Sequence, residues 1–146
     1  MRLHPDFLPA RELLSLGLLR RGDLKATAAQ AEALVAEKPQ AAEGHRIMAL
    51  VLWKQRDYET SLAECAMALS TEPDSAQMMA LQALDLWQVN RKKEAQTAFV
   101  QAWKAEPRVA TAEVFCRLLV CDARDIGLVQ EFLRKNRWVL TPVPSP

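Results

Sequence analysis

Apolar residues along this chain recur at spacings of three and four, and short polar or helix-stopping groups interrupt them at regular intervals. Those spacings place apolar side chains on one helical face. They predict eight helices: Pro9 to about Arg21, Leu24–Glu37, Ala41–Lys54, Tyr58–Thr71, Ala76–Gln88, Lys92–Ala105, Ala110–Asp122 and Ile126–Trp138. Pro9 suits a first helical turn, where its missing N–H is not needed. Gly22 supplies a permissive stop, and Asp23 offers a carboxylate to the free N–H groups of the next helix. Asp57, Asn90 and Asp125 are expected to do the same for the fourth, sixth and eighth helices.

The interruptions share one period. Ser61, Cys65, Ala68 and Pro73 are followed 34 residues later by Ala95, Phe99, Ala102 and Pro107, and Pro39 lies 34 before Pro73. Asp23, Asp57 and Asp125 fit the same register, with Arg91 in the missing slot. A period of this length, carried by small residues, a proline and caps, marks stacked helix-turn-helix units.

On these residues the chain resembles a tetratricopeptide-repeat (TPR) protein, whose pattern runs W-x2-L-G-x2-Y, then A-x3-F, then P. The second halves of the repeats carry the match. In the first halves His45 and Met79 stand at the Trp slot, Ala49 and Ala83 at the Gly slot, and Leu52 and Leu86 at the Tyr slot. The first unit keeps Gly22 and Pro39 but has Ala31 at the aromatic slot, and Thr141 stands where the fourth would have its proline. The resemblance implies an all-α fold, a right-handed superhelix (α-solenoid) of about four hairpins. Its repeats would span about 8–41, 42–75, 76–109 and 110–140, between a lead-in at 1–7 and a proline-rich tail at 141–146.

Small residues (Ala49, Ala68, Ala83, Ala95, Ala102) allow such hairpins to approach, while Leu52, Leu86, Cys65 and Phe99 are expected to plug the spaces between helices. With Ala49 as origin and about 100° per residue, Arg46, Leu50 and Trp53 fall to the side opposite His45 and Leu52. In the TPR family that side resembles the concave face. The expected partner-binding set is Leu16, Leu19, Arg20, Arg46, Leu50, Trp53, Leu84, Trp87, Leu118 and Cys121, with Glu12, Ala80 and Val114 in the same stripe. Trp53 and Trp87 are 34 apart, so the two indoles are expected to stand on neighbouring helices, exposed on the groove. The competing placement buries them between helices; the groove is preferred because Leu52 and Leu86 already face inward. Arg20 and Arg46 read either as solvated charges or as groove contacts. His45 is expected to pack in place of the family's Trp, and Cys65 and Cys116 to be inert interior thiols.

Composition narrows the function. The formal net charge is +1, which supplies no field for nucleic acid or an anionic membrane. The longest apolar run, Ile47–Trp53, is far below the ~20 residues of a membrane span. The first residues lack a basic-then-apolar leader, so a cytoplasmic location is expected. Three cysteines make an odd count, and Cys116 and Cys121, five apart, would sit on different faces of a continuous helix. The four glycines are scattered, and no nucleophile–base pattern appears; no enzyme, metal or cofactor is expected.

The reading is a non-enzymatic interaction module, adaptor or chaperone, that binds a protein or peptide with apolar side chains in an apolar groove. The Lys and Asn slots of the TPR clamp for acidic C-terminal peptides hold Glu12, Leu16, Arg46, Leu50, Ala80 and Leu84 here. An apolar groove in so small a repeat protein is similar instead to secretion chaperones. The alternative is an assembly segment of a larger protein. The last helix carries Ile126, Leu128, Val129, Phe132, Leu133 and Trp138, more apolar surface than an end cap needs. The tail, a second copy or a following domain would cover it, with Leu128, Phe132 and Trp138 as the expected assembly contact. RNA binding, a third reading, fits neither the charge nor the leucine stripe.

Overall fold

The computed structural model describes residues 9–140, with side chains from residue 14 onward. The lead-in at 1–7, the tail at 141–146 and the side chain of Glu12 lie outside the described residues. Eight α-helices and two 3-10 turns make up the described chain, with no strand among the described residues. The protein is all-α.

The chain divides into two compact units, one ending at Pro73 and one beginning at Asp74. The first holds α1 (Pro9–Arg20), α2 (Leu24–Glu37), α3 (Ala42–Lys54) and α4 (Tyr58–Thr71). Within it α1 packs on α2, α2 on α3 and α3 on α4, and α1 also touches α3. Two contacts between these helices fix their spacing. Gly44 lies so near α2 that an added Cβ would sit 2.7 Å from Val35 Cγ2 and 2.9 Å from Val35 N. Buried Ser61 donates its hydroxyl to Ala49 O (2.9 Å), which satisfies that hydroxyl where water cannot reach.

The second unit holds α5 (Ala76–Gln88), α6 (Lys92–Ala105), a 3-10 turn (Pro107–Ala110), α7 (Ala112–Leu119), α8 (Ala123–Asn136) and a closing 3-10 turn (Arg137–Leu140). Here α5 pairs with α6 and α7 with α8, while α5 also packs against α7 and α8. Four aromatic rings form its centre. Phe132 sits 5.1 Å from Phe99, 5.6 Å from Trp87 and 5.9 Å from Phe115, centroid to centroid, in edge-on or tilted arrangements that suit ring quadrupoles.

The turns explain why the helices end where they do. At the ends of α1, α3 and α5, residues Gly22, Arg56 and Asn90 adopt left-handed backbone with φ of 79°, 66° and 66°. In each, the following amide reaches back five residues: Asp23 N to Leu18 O, Asp57 N to Leu52 O and Arg91 N to Leu86 O, all 2.9 Å. The left-handed residue bonds to Leu19, Trp53 and Trp87 O, which completes the Schellman pattern of hydrogen bonds three times, 34 residues apart. The residue that closes one helix also opens the next. Asp23 and Asp57 accept from Ala26 N (3.1 Å) and Thr60 N (3.4 Å).

Two cap expectations are corrected. Asn90 does not cap α6; it takes the left-handed position, which Asn tolerates better than most residues. Arg91 is the first-cap residue and makes no side-chain cap bond; its guanidinium instead grips Glu94 (2.9 and 2.6 Å). Asp125 does not begin α8 either. Asp122 does, accepting from Arg124 N (2.9 Å) and Asp125 N (3.0 Å), while Asp125 returns a bond from Asp122 N (3.0 Å). This reciprocal capping box satisfies more orphan N–H groups than a single cap at Asp125 could. Consequently α7 stops at Leu119, with Val120 left-handed at φ 53°, ψ 52°.

Candidate functional site

The expected groove residues divide by burial, and the division corrects the helical-wheel reading of α3. Trp53 is fully buried and Leu50 is 1 % exposed, whereas Leu52, expected inside, is half-buried. The reason lies in the position of α3. It contacts α1, α2 and α4, and nine of its 13 residues are buried, so it has no single wet stripe on which a 100° wheel could sort side chains. Trp53 is a core residue, and the nearly buried Lys54 holds its ammonium 5.4 Å from that ring.

Leu19 (2 % exposed) is also core, while Leu16 is half-buried and Arg20 is exposed. Arg46 is mostly covered and ion-pairs with Glu72 at the end of α4. That pair fastens α3 to the close of its own hairpin.

In the second unit Leu84 is buried at 1 % exposure, but Trp87 keeps part of its indole at the surface. The Lys92 ammonium lies 4.3 Å from the Trp87 ring centroid, within cation–π range. Phe132 meets the same ring edge-on at 84°. Leu118 is half-buried, and its carbonyl accepts from Gln77 Nε2 (2.7 Å). Cys121 is half-buried too. Trp87, Leu118 and Cys121 are the members of the expected set on this unit that keep exposed surface, and Lys92, outside that set, joins Trp87. Of the expected assembly contact, Phe132 is 1 % exposed at the centre of the aromatic cluster and cannot meet a second copy. Leu128 is half-buried and Trp138 is 66 % exposed.

Pattern reading missed what His45 does. The ring is buried, as packing requires, but both nitrogens face acceptors: Nδ1 lies 3.0 Å from Glu64 Oε2 and Nε2 2.9 Å from Pro39 O. A neutral imidazole carries one N–H and could donate to only one of them. Burial opposes the charge, but the Pro39 carbonyl and the Glu64 carboxylate outweigh it and raise the pKa above the ordinary 6.5. His45 is thus a staple, bonded through both ring nitrogens, that joins α3, α4 and the turn after α2. Glu64 falls 19 residues from His45, a separation no local pattern connects.

The cysteines also depart from expectation. Cys65 is buried, but Cys116 is only half-buried, and Cys116 and Cys121 do not sit on different faces of one helix. Because the chain turns back at Val120, Cys121 N bonds to Cys116 O (3.1 Å), which makes the two cysteines neighbours. Burial raises the Cys116 pKa, the Cys121 thiol opposes that rise, and the Asp125 carboxylate adds to it. No three His, Cys, Asp or Glu side chains converge as a metal set among the described residues. No helix among them is long and apolar enough to cross a membrane. In comparisons with known proteins, no family model and no curated protein matches this chain.

Proposed function

We propose that this chain is a cytoplasmic, TPR-like interaction module whose hairpins stack as a right-handed α-solenoid and hold an apolar peptide segment of a partner protein. The observation that carries the reading is the turn repeated at 18–23, 52–57 and 86–91, with the same two backbone bonds and the same left-handed residue 34 positions apart. Identical turns at one period are the mark of tandem helix-turn-helix units, and proteins built this way serve chiefly as binding surfaces. The contact we assign is reduced from the sequence-derived set. On the second unit it centres on Trp87, with the Lys92 ammonium against its ring. A half-exposed indole with a cation on its face is the kind of residue that dominates binding energy.

The test is affinity capture from native lysate with wild type and Trp87→Ala, followed by titration of the captured protein. Loss of the hotspot is expected to weaken binding by about 2 kcal/mol, roughly 30-fold, with helicity unchanged. Equal capture by both proteins rejects the assigned surface. A second reading rests on Trp138, which leaves 66 % of its surface exposed beside α8: self-association through the end of the second unit. Concentration-dependent sedimentation, abolished by Trp138→Ala, is expected in that case, and a monomer at all concentrations rejects it.

A further inference from the structure

The end of α7 brings two thiols together that the linear sequence keeps apart. Residues Cys116 to Cys121 form the fourth left-handed turn among the described residues: Val120 N bonds to Arg117 O (3.4 Å) and Cys121 N to Cys116 O (3.1 Å). In this pattern the residue after the left-handed position characteristically touches the residue five before it. Here those two residues are Cys121 and Cys116, so the turn sets their side chains next to each other. A direct N–H···O=C bond between two residues holds their Cα atoms within roughly 7 Å at full extension and closer when bent. A disulfide needs about 4.4–6.8 Å. Both residues are half-buried, so a small solute can reach them, whereas Cys65 is fully buried.

The backbone around the pair is also unusual. Val120 is β-branched and sits in left-handed backbone, a place that disfavours such side chains. Asp122, next to Cys121, opens α8 through the capping box. A covalent link between Cys116 and Cys121 would therefore clamp the end of α7 to the start of α8 and hold Val120 in place.

We propose that Cys116 and Cys121 form a reversible intramolecular disulfide, which makes the α7–α8 turn an oxidant-sensitive modification site. The oxidant is a low-molecular-weight disulfide such as glutathione disulfide. One cysteine loses its proton and attacks a sulfur of the oxidant, forming a mixed disulfide and releasing one glutathione thiolate, which takes up a proton. The second cysteine then loses its proton and attacks the protein-side sulfur, forming the Cys116–Cys121 bond and releasing the second glutathione. Two protein thiols are oxidised and one glutathione disulfide is reduced to two thiols. The elevated Cys116 pKa makes the exchange slower at neutral pH than for an ordinary thiol and faster as pH rises.

The full chain is incubated with glutathione disulfide, quenched in acid, alkylated and digested with trypsin. Cleavage after Arg117 separates the two cysteines, so the bridge appears as Val109–Arg117 joined to Leu118–Arg124 in a monomeric chain. Cys65 is expected to remain alkylated. In a glutathione redox titration, the native chain should need at least tenfold more reduced glutathione to open the bridge than the chain unfolded in urea, because only the folded turn holds the thiols together. Persistent single glutathione adducts, a bridge that includes Cys65 or a second chain, or equal native and unfolded potentials would each overturn the proposal.

Discussion

Glycine-to-alanine substitution at two helical positions is expected to move stability in opposite directions, and the structure sets both signs. Gly44 lies in the first turn of α3 and Gly127 in α8. In a helix interior the exchange ordinarily stabilises by about 1 kcal/mol, since alanine loses less backbone freedom. At Gly127 nothing lies within 4 Å of the new methyl, so that gain of roughly 0.5–1 kcal/mol should appear in full. At Gly44 the methyl meets Val35 Cγ2 at 2.7 Å, Val35 N at 2.9 Å and Ala31 O at 3.2 Å. Favourable carbon contacts begin near ~3.5 Å. A new rotamer of Val35 could relieve the first clash but not the other two, which are to the backbone of α2. The whole helix must move away from α3. Overpacking of this kind costs about 1–3 kcal/mol, which cancels the propensity gain of about 1 kcal/mol and leaves a net loss of up to about 2 kcal/mol. Urea titration followed by circular dichroism reads both variants. With typical slopes, Gly44→Ala should lower the midpoint by up to roughly 1 M while Gly127→Ala raises it. A Gly44→Ala protein as stable as Gly127→Ala would refute the close approach of α2 and α3.

Three further outcomes follow from the same geometry. The His45–Glu64 pair contributes most when His45 is charged. Because the folded pKa is raised above 6.5, that contribution is complete below the unfolded value and fades as pH rises through the folded one. The stability difference between wild type and Glu64→Gln, about 1–3 kcal/mol in mildly acid urea titrations, should therefore narrow toward alkaline pH, and a difference that widens contradicts the ion pair. Trp53→Ala should cost about 3–5 kcal/mol in thermal melts and Trp87→Ala clearly less, since one ring is fully buried and the other is not; equal costs would return Trp53 to the surface. Val120→Asn should raise the melting point, worth roughly 0.5–1 kcal/mol, while Val120→Ile should not, because only the first removes the β-branch from left-handed backbone; identical behaviour would argue against strain at that turn.

Sequence alone determined what is local. Cap residues and apolar spacing act within a few positions, so α2, α4, α5 and α6 begin and end at the predicted residues. The 34-residue spacing of Pro39, Pro73 and Pro107 likewise has its counterpart in the amides of Lys38, Glu72 and Glu106, each bonded four residues back. The D-x-x-D of Asp122 and Asp125 was also legible as a capping pair, but the repeat register drew the start of α8 to the wrong aspartate. Tertiary structure decided the rest. Whether Leu52 or Trp53 faces inward depends on how many neighbours cover α3, and a wheel drawn on one helix has no information about the others. The raised pKa of His45 comes from Pro39 and Glu64, which only the fold brings to its ring. Cys116 and Cys121 diverge on a continuous helix and meet because Val120 turns the chain back. Local propensity, the turn at Val120 included, is settled by a few backbone bonds, whereas burial and ionisation are set by groups distant in sequence, and so they emerge only when the helices pack.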